Sequence, residues 1–350
     1  MRLPDHSCIR IKNGTTSGQW ILAEPYPAAS MKHFFCVFFL ATIILLTSVA
    51  TCFSQTVDSG GAVHFPDTVL LVTDSVTGKT GIDTSRIVFT AEDIEIFYRL
   101  ADSLIINGIA EMSAGEAVIG VAMNFLDCPY TGHTLERDIE NKLVINLRGF
   151  DCVTFVETTL AMARILMYGK NSFIGYAREL QNIRYRNGEI NEFPSRLHYF
   201  TDWLFDNEHK GIISDITAAI DSTPYDKTIN FMTKNRSKYA KLSDDRFFNA
   251  MEDVEKEINT RDYYYIPKSR IGELSGKINS GDVLLLTTDI EGLDISHVGF
   301  ALWIESQLYL LHASSYYKKV IISTKPLVEY IAANKKQSGV MVARLMNIKH

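Results

Sequence analysis

Helical patterns fill the middle of this chain, and strand patterns fill its last hundred residues. Residues 283–286, 297–304, 308–313 and 320–323 are short β-rich runs split by Gly, Asp or Ser, and 340–345 is a final strand. Only residues 327–333 interrupt them, with a helical pattern. Earlier, Thr90 can cap a helix whose one face carries Phe97, Leu100, Ala101, Leu104 and Ile105. Ser113-Ala114-Gly115-Glu116 is a capping-box pattern opening a second helix, which runs to Met123 or Phe125. Further helices are expected from Cys152, over 172–181, over 198–204 and over 244–258, while 212–238 reads as strands of a surface insertion. Helices first and a meander of strands last predict an α+β fold, an antiparallel sheet packed against helices.

Size and composition, with 46% apolar and 22% charged residues in 350, suit one large or two ordinary globular domains. A net charge of -6 and a pI near 5.9 argue against a nucleic-acid partner. Met31-Lys32-His33 precedes an apolar run over 34–50 broken only by Thr42, Thr47 and Ser48. A basic start, an apolar stretch and small residues describe a secretory signal peptide over 31–54. Residues 1–30 are then an over-extended start, 55–89 a linker, and 90–350 one catalytic domain. The competing reading is a retained anchor, because about 20 apolar residues span a bilayer. Val49-Ala50-Thr51-Cys52 also faintly resembles a lipoprotein box, so anchoring through Cys52 is a minority option. The expected location is periplasmic or secreted, with no stable membrane insertion after cleavage.

Export leaves two thiols in the mature chain, Cys128 and Cys152. Cys152 stands where an apolar run (143–147) passes a turn at Gly149 into a helical pattern, with Asp151 placed to cap it. Unpaired N–H groups at a helix start favour an anion, so a lowered thiol pKa is expected there. The ordinary role of such a residue is a buried apolar Cys. In an oxidising compartment the two thiols can also form a disulfide. No paired Cys/His spacing suggests zinc, and no metal or cofactor is expected.

Two histidines supply what a reactive thiol needs. His297 opens one strand pattern and His312 closes the next, and a hairpin turning at 305–307 brings both to the same end. Symmetric pairing about that turn sets 297 near 315, within a diagonal step of 312. Thiol acyl transfer needs a nucleophile, an imidazole to carry the proton, and a polar group to hold that imidazole in one tautomer. Either histidine alone is more simply read as structural; the combination points to chemistry.

Asp151-Cys152-Val153-Thr154-Phe155-Val156, Gly281-Asp282-Val283-Leu284-Leu285, His297-Val298-Gly299-Phe300-Ala301-Leu302 and Leu311-His312-Ala313-Ser314 together resemble the NlpC-type papain-like cell-wall hydrolases. Val153-Thr154 stands where those enzymes usually have Ser-Gly. The fuller pattern is similar to the N-acetylmuramoyl-L-alanine amidase-like branch. It comprises Pro129-Tyr130, Asn146-Leu147-Arg148, Phe155-Val156-Glu157, Ser195-Arg196-Leu197-His198-Tyr199, Tyr265-Ile266-Pro267 and Leu293-Asp294-Ile295-Ser296-His297, within a resemblance over 91–345. The resemblance implies a papain-like fold with the nucleophile at a helix N-terminus. It implies Cys152 as nucleophile, His297 as base and acid, His312 as orienting member and Tyr130 beside the oxyanion. Arg148, Arg196, His198, Asp202, Trp203, Tyr264 and Ser296 are candidates to bind muropeptide or peptidoglycan fragments, although Trp203 and Tyr264 are equally explicable as core.

Cys128 departs from the family's pattern, since a small non-thiol residue is expected before Pro129-Tyr130. A Cys128–Cys152 disulfide is therefore a conceivable oxidative off-switch. Other readings compete with the amidase. The same machinery could cut the stem as a γ-D-glutamyl-diamino acid endopeptidase, or transfer the acyl group to an amine. From another class, a non-catalytic periplasmic binding protein would hold the two cysteines as a structural disulfide.

Overall fold

A computed structural model describes residues 84–136 and 141–347. The expected over-extended start, the signal peptide, the linker up to Asp83, Cys8, Cys36 and Cys52 lie outside the described residues.

The chain opens with a short strand, β1 (Ile87–Val88), then α1 (Ala91–Ile106) and α2 (Ala114–Met123). Both helices begin with complete capping boxes, Thr90 with Asp93 and Ser113 with Glu116. β2 (Leu143–Val144) leads into α3 (Cys152–Met167) and α4 (Phe173–Arg184), then α5 (Phe200–His209). β1 and β2 pair in parallel, and Ile87 and Phe89 are buried, so the folded domain begins inside the stretch expected as linker.

Residues 212–238 form no separate strand insertion. β3 (Ile213–Asp215) pairs with the last strand of the main sheet, and α6 (Thr217–Ile220), β4 (Thr223–Pro224) and α7 (Phe231–Lys234) follow. The polar alternation that suggested exposure has internal partners: the Val342 N–H donates to the Thr217 hydroxyl, and Asp221 meets Thr223 and Arg270. α8 (Asp245–Ile258), capped by Asp244, turns Phe247, Met251 and Ile258 onto Tyr199, Met232 and Leu242 to make a small core.

After β5 (Tyr264–Pro267) and α9 (Ile271–Leu274) come β6 (Val283–Thr288), β7 (Ile295–Ile304), β8 (Gln307–Ser314), β9 (Lys319–Ile322), α10 (Leu327–Ala333) and β10 (Gln337–Leu345). They form an antiparallel sheet ordered β4-β5-β10-β6-β7-β8-β9, with β3 also on β10. Every residue of β6 is buried because both faces are covered. Val283 and Leu285 point with Val298, Phe300 and Met341 into the large core under α2 and α3. Leu284 and Leu286 point the other way, with Val340 and Val342, onto α9 and α10. This period-two division is the strand geometry read across two cores. Helices on one face thus set the N-terminus of α3 against the start of β7.

Candidate active site

The turn before α3 is tied down residue by residue. Asn146 Oδ1 accepts from the Arg148 N–H at 3.1 Å, and its Nδ2 donates to Gly149 O at 3.1 Å. The fully buried Asp93 accepts from the Leu147 N–H at 2.8 Å while capping α1. Gly149 is held against Thr131 and Pro129 so closely that a Cβ would collide with the Thr131 hydroxyl. Asp151 then caps α3: its Oδ1 accepts from the Thr154 N–H at 2.8 Å, and Thr154 Oγ1 accepts from the Asp151 N–H at 3.0 Å. Thr154, where the resembling enzymes carry Gly, completes this capping box.

Backbone N–H groups of Val298, Cys152 and Val153 lie close enough to the Cys152 sulfur to favour its anion. Burial and the Asp151 carboxylate outweigh them and push the thiol up to about 12. The low thiol pKa expected from a helix start is therefore corrected. The dipole acts on a group already desolvated and facing a negative cap, and those terms are larger.

Strand register brings the histidines together. β7 and β8 pair as Phe300↔Leu311 through Ile304↔Gln307, one residue tighter than symmetric pairing about Ser306. Gly299 therefore lies across from His312, and a Cβ on it would sit 2.9 Å from the His312 Cβ and 2.7 Å from Leu311 O. Through the space this glycine leaves, His297 Nε2 and His312 Nδ1 meet at 2.6 Å with rings at 88°. Burial lowers His297 to about 4, and burial with the His297 neighbour lowers His312 to about 3. Both are neutral at pH 7, so one proton bridges them, and His297 Nδ1 is the ring nitrogen that this contact does not engage. His312 Nε2 is buried without a hydrogen-bond partner among the described residues.

Tyr130 belongs to the same cluster. Its N–H donates to Lys318 O at 2.8 Å, its backbone bridges Phe150, and burial with Cys152 and Asp151 pushes its hydroxyl up to about 12. Tyr330, on α10, is a site residue that the sequence reading missed. Its ring lies edge-on to His312 at 5.5 Å, and Cys152 raises its hydroxyl pKa after burial does. The recoverable signal was the predicted helix itself: with Leu327 and Ile331 turned inward, Tyr330 falls beside them.

The expected binding residues divide. Ser296 is exposed beside His297, and its hydroxyl donates to Leu286 O at 3.3 Å. The Arg196 guanidinium has no hydrogen-bond partner among the described residues, and burial lowers its pKa. The His198 Nε2–H donates to Phe193 O at 2.9 Å, and burial holds this imidazole well below its ordinary range. Tyr264 is half-buried on β5, paired with Pro224. Asp202 and Trp203 do not line a groove. Asp202 is buried between Arg186 and Arg261, and Trp203 is packed in the large core. The helical period turns both inward. Arg148 lines a different cleft, with Cys128, Arg99 and Glu92, where its Nε meets Asp93 at 3.3 Å.

Cys128 and Cys152 are both free thiols, so no disulfide joins them in this structure. Burial and Asp127 raise Cys128 against the opposing charge of Arg99. No group of three or more potential metal ligands occurs among the described residues. A half-buried thiol at a helix start, a neutral histidine pair and two protonated phenols can perform acyl transfer by nucleophilic and acid–base steps.

A family model, AmiA-like (N-acetylmuramoyl-L-alanine amidase-like), matches residues 120–340. A solved N-acetylmuramoyl-L-alanine amidase from Bacteroides uniformis is 34% identical, with a TM-score of 0.64 over 67% of this chain and 99% of that one. A protein of Bacteroides fragilis provisionally named a xylanase is 36% identical, with a TM-score of 0.61 over 64% of this chain and 98% of that one. A Legionella pneumophila protein, 22% identical with a TM-score of 0.55 over 73% of this chain and 95% of that one, shares the fold. No curated protein matches the chain.

Proposed function

This chain belongs to the N-acetylmuramoyl-L-alanine amidase-like family, and from that premise we propose that it is a cysteine amidase. It cleaves the amide between the lactyl group of N-acetylmuramic acid and L-alanine in muropeptides, on a papain-like, NlpC-type fold. The observation that supports the mechanism is the approach of N–H groups from Cys152, Val153 and Val298 to the thiol, with Val298 following directly on His297 of the His297–His312 pair.

In the free enzyme thiol and imidazole are neutral, so proton transfer to His297 accompanies attack. The Cys152 sulfur bonds to the amide carbon as its proton moves to His297 Nδ1. Helix-start N–H groups, with the protonated Tyr130 hydroxyl, face the developing oxyanion; one such donor contributes on the order of 3 kcal/mol. Collapse breaks the C–N bond, and the imidazolium returns its proton to the departing L-alanine nitrogen. His297 then takes a proton from water, which attacks the thioester carbon and releases the lactyl carboxylate and the thiol. His312 holds the His297 ring through the bridging proton.

On the same reading, residues 31–54 export the protein to the periplasm or beyond, with Cys52 lipidation the lesser option, and residues 90–350 are the catalytic domain. The test is digestion of a defined muropeptide followed by mass spectrometry. Release of the intact stem with a free L-alanine terminus is expected from wild type and not from Cys152→Ala. Cleavage beyond D-glutamate would instead identify an endopeptidase, and undiminished activity of Cys152→Ala would sink the cysteine mechanism.

A further inference from the structure

The turn between β8 and β9 carries two tyrosines that the fold does not bury. Tyr316 is 83% exposed and Tyr317 47% exposed, and their rings meet edge to face at 5.0 Å. Single exposed apolar residues need no explanation; a joined aromatic pair at the edge of a site does.

Register puts this pair at the site. β8 and β9 pair as His312↔Ile321 and Ser314↔Lys319, so the turn begins just beyond the buried Ser314, on the same face of β8 as His312. The turn is also fixed in place. The Tyr317 N–H donates to Ser314 Oγ at 3.2 Å, and Lys318 adopts a left-handed φ of 60°. Lys318 O accepts from the Tyr130 N–H, and Lys319 Nζ reaches Asp127 at 2.6 Å. Inward from the turn, Tyr317 is an electrostatic neighbour of Tyr330, whose ring meets His312. The Tyr130 N–H on Lys318 O and the Tyr330 ring on His312 tie the turn to the site.

The two halves of the lactyl amide differ in what they would seek. The stem peptide carries carboxylates and calls for cations, whereas the muramyl half carries a pyranose whose C–H face packs on aromatic rings. The turn offers aromatic faces; Lys319, the first residue of β9, is engaged by Asp127, and Lys318 is exposed at its left-handed φ. We propose that Tyr316 and Tyr317 are the sugar platform of this site, holding the muramyl ring while its lactyl carbonyl meets Cys152. The inference rests on the amidase reading and adds the specificity residues for the acyl half.

Two substrates decide it: muramyl-L-alanyl-D-isoglutamine, and the same lactyl dipeptide without the sugar. Removing a stacking ring removes binding common to ground and transition states, so KM should rise with kcat unchanged. For Tyr316→Ala/Tyr317→Ala we expect KM for the muramyl substrate to rise at least tenfold, by analogy with a base stacked on an aromatic ring. The sugarless substrate should be cut as by wild type, and Tyr317→Phe should retain most of the affinity. An equal effect on both substrates, or none on either, would overturn the platform. Calorimetric titration of the muramyl dipeptide into Cys152→Ala, with and without the two tyrosines, separates this from the amidase reading. Wild type that leaves the lactyl amide intact defeats that reading, whereas unchanged or absent binding in this comparison defeats the platform.

Discussion

His312 Nδ1 lies 2.6 Å from His297 Nε2, with the two imidazole planes at 88°. Two neutral rings at this distance share one proton, so the contact engages His297 Nε2 and leaves Nδ1 as the nitrogen for proton transfer in the proposed mechanism. His312→Ala should lower kcat by about 10²- to 10⁴-fold with little change in KM, the pattern of a lost orienting partner. His312→Asn keeps a polar partner and should recover part of that loss. Steady-state kinetics on the muramyl dipeptide decide this, and a kcat indifferent to His312 would remove it from the mechanism.

Gly299 makes that contact possible. In Gly299→Ala the new methyl meets Leu311 O at 2.7 Å and the His312 Cβ at 2.9 Å, so the β7–β8 pair must spread. Overpacking of this kind costs about 1–3 kcal/mol. The expected outcome is a lower Tm together with a fall in kcat resembling that of His312→Ala. A destabilised protein with wild-type kcat would show that the histidine geometry tolerates the shift.

Asp151 acts on the thiol in two opposed ways. It caps α3 and thereby orients the N–H groups that favour thiolate, but its charge raises the thiol pKa. Asp151→Asn can keep the cap, since Asn also accepts at this position, and it removes the charge. Iodoacetamide should label wild-type Cys152 slowly at pH 7, with the rate climbing about tenfold per pH unit toward a thiol pKa near 12. The Asn variant should label several-fold faster at pH 7. Peptide mapping by mass spectrometry assigns the label to Cys152 or Cys128.

On α3 itself, Glu157 Oε2 accepts from Arg184 Nε at 2.6 Å, and Arg184 Nη1 donates to Val144 O at 2.7 Å. Both side chains are buried. Glu157→Ala should cost about 3–5 kcal/mol, because it strands a buried guanidinium. The paired replacement Glu157→Leu/Arg184→Met should cost less than the single change. Urea denaturation of the three proteins measures this, and a double variant weaker than Glu157→Ala would contradict it.

Stability should depend on the neutral histidine pair at acid pH. His297 and His312 have folded pKa values near 4 and 3, below the unfolded value of about 6.5. The unfolded chain therefore binds protons first as pH falls. The stabilising contribution is complete above pH 6.5 and declines progressively as pH falls toward 4 and 3. Thermal melts from pH 7 to 4 should show a steeper fall in Tm for wild type than for His297→Gln/His312→Gln. Parallel curves would show that the pair carries no acid sensitivity.

Much of this architecture was legible because it depends on neighbours along the chain. The Thr90 cap and the Ser113–Glu116 box are local contacts, and the structure realises both, with Asp93 completing a second box at Thr90. The helix over residues 327–333 and the ends of the last strands follow from period and punctuation in the same way. Residues 212–238 misled because Thr217 and Asp221 find partners on β10 and beyond β5, which no local pattern reveals. Asp202 and Trp203 look like groove residues as letters, but α5 turns them toward Arg261 and the core.

The sequence by itself determined the order of helices and strands, the cap before Cys152, and the hairpin that brings His297 and His312 to one end. These depend on backbone hydrogen-bonding geometry and side-chain period, which act over a few residues. Only the tertiary structure decided the protonation of the site and its full membership. Burial and the Asp151 charge, summed over several elements, hold the thiol neutral against the helix dipole. Tyr330 joins Cys152 and His312 because α10 packs back across the sheet. Desolvation is a property of everything packed around a group, so it exists only once the chain has closed over the thiol.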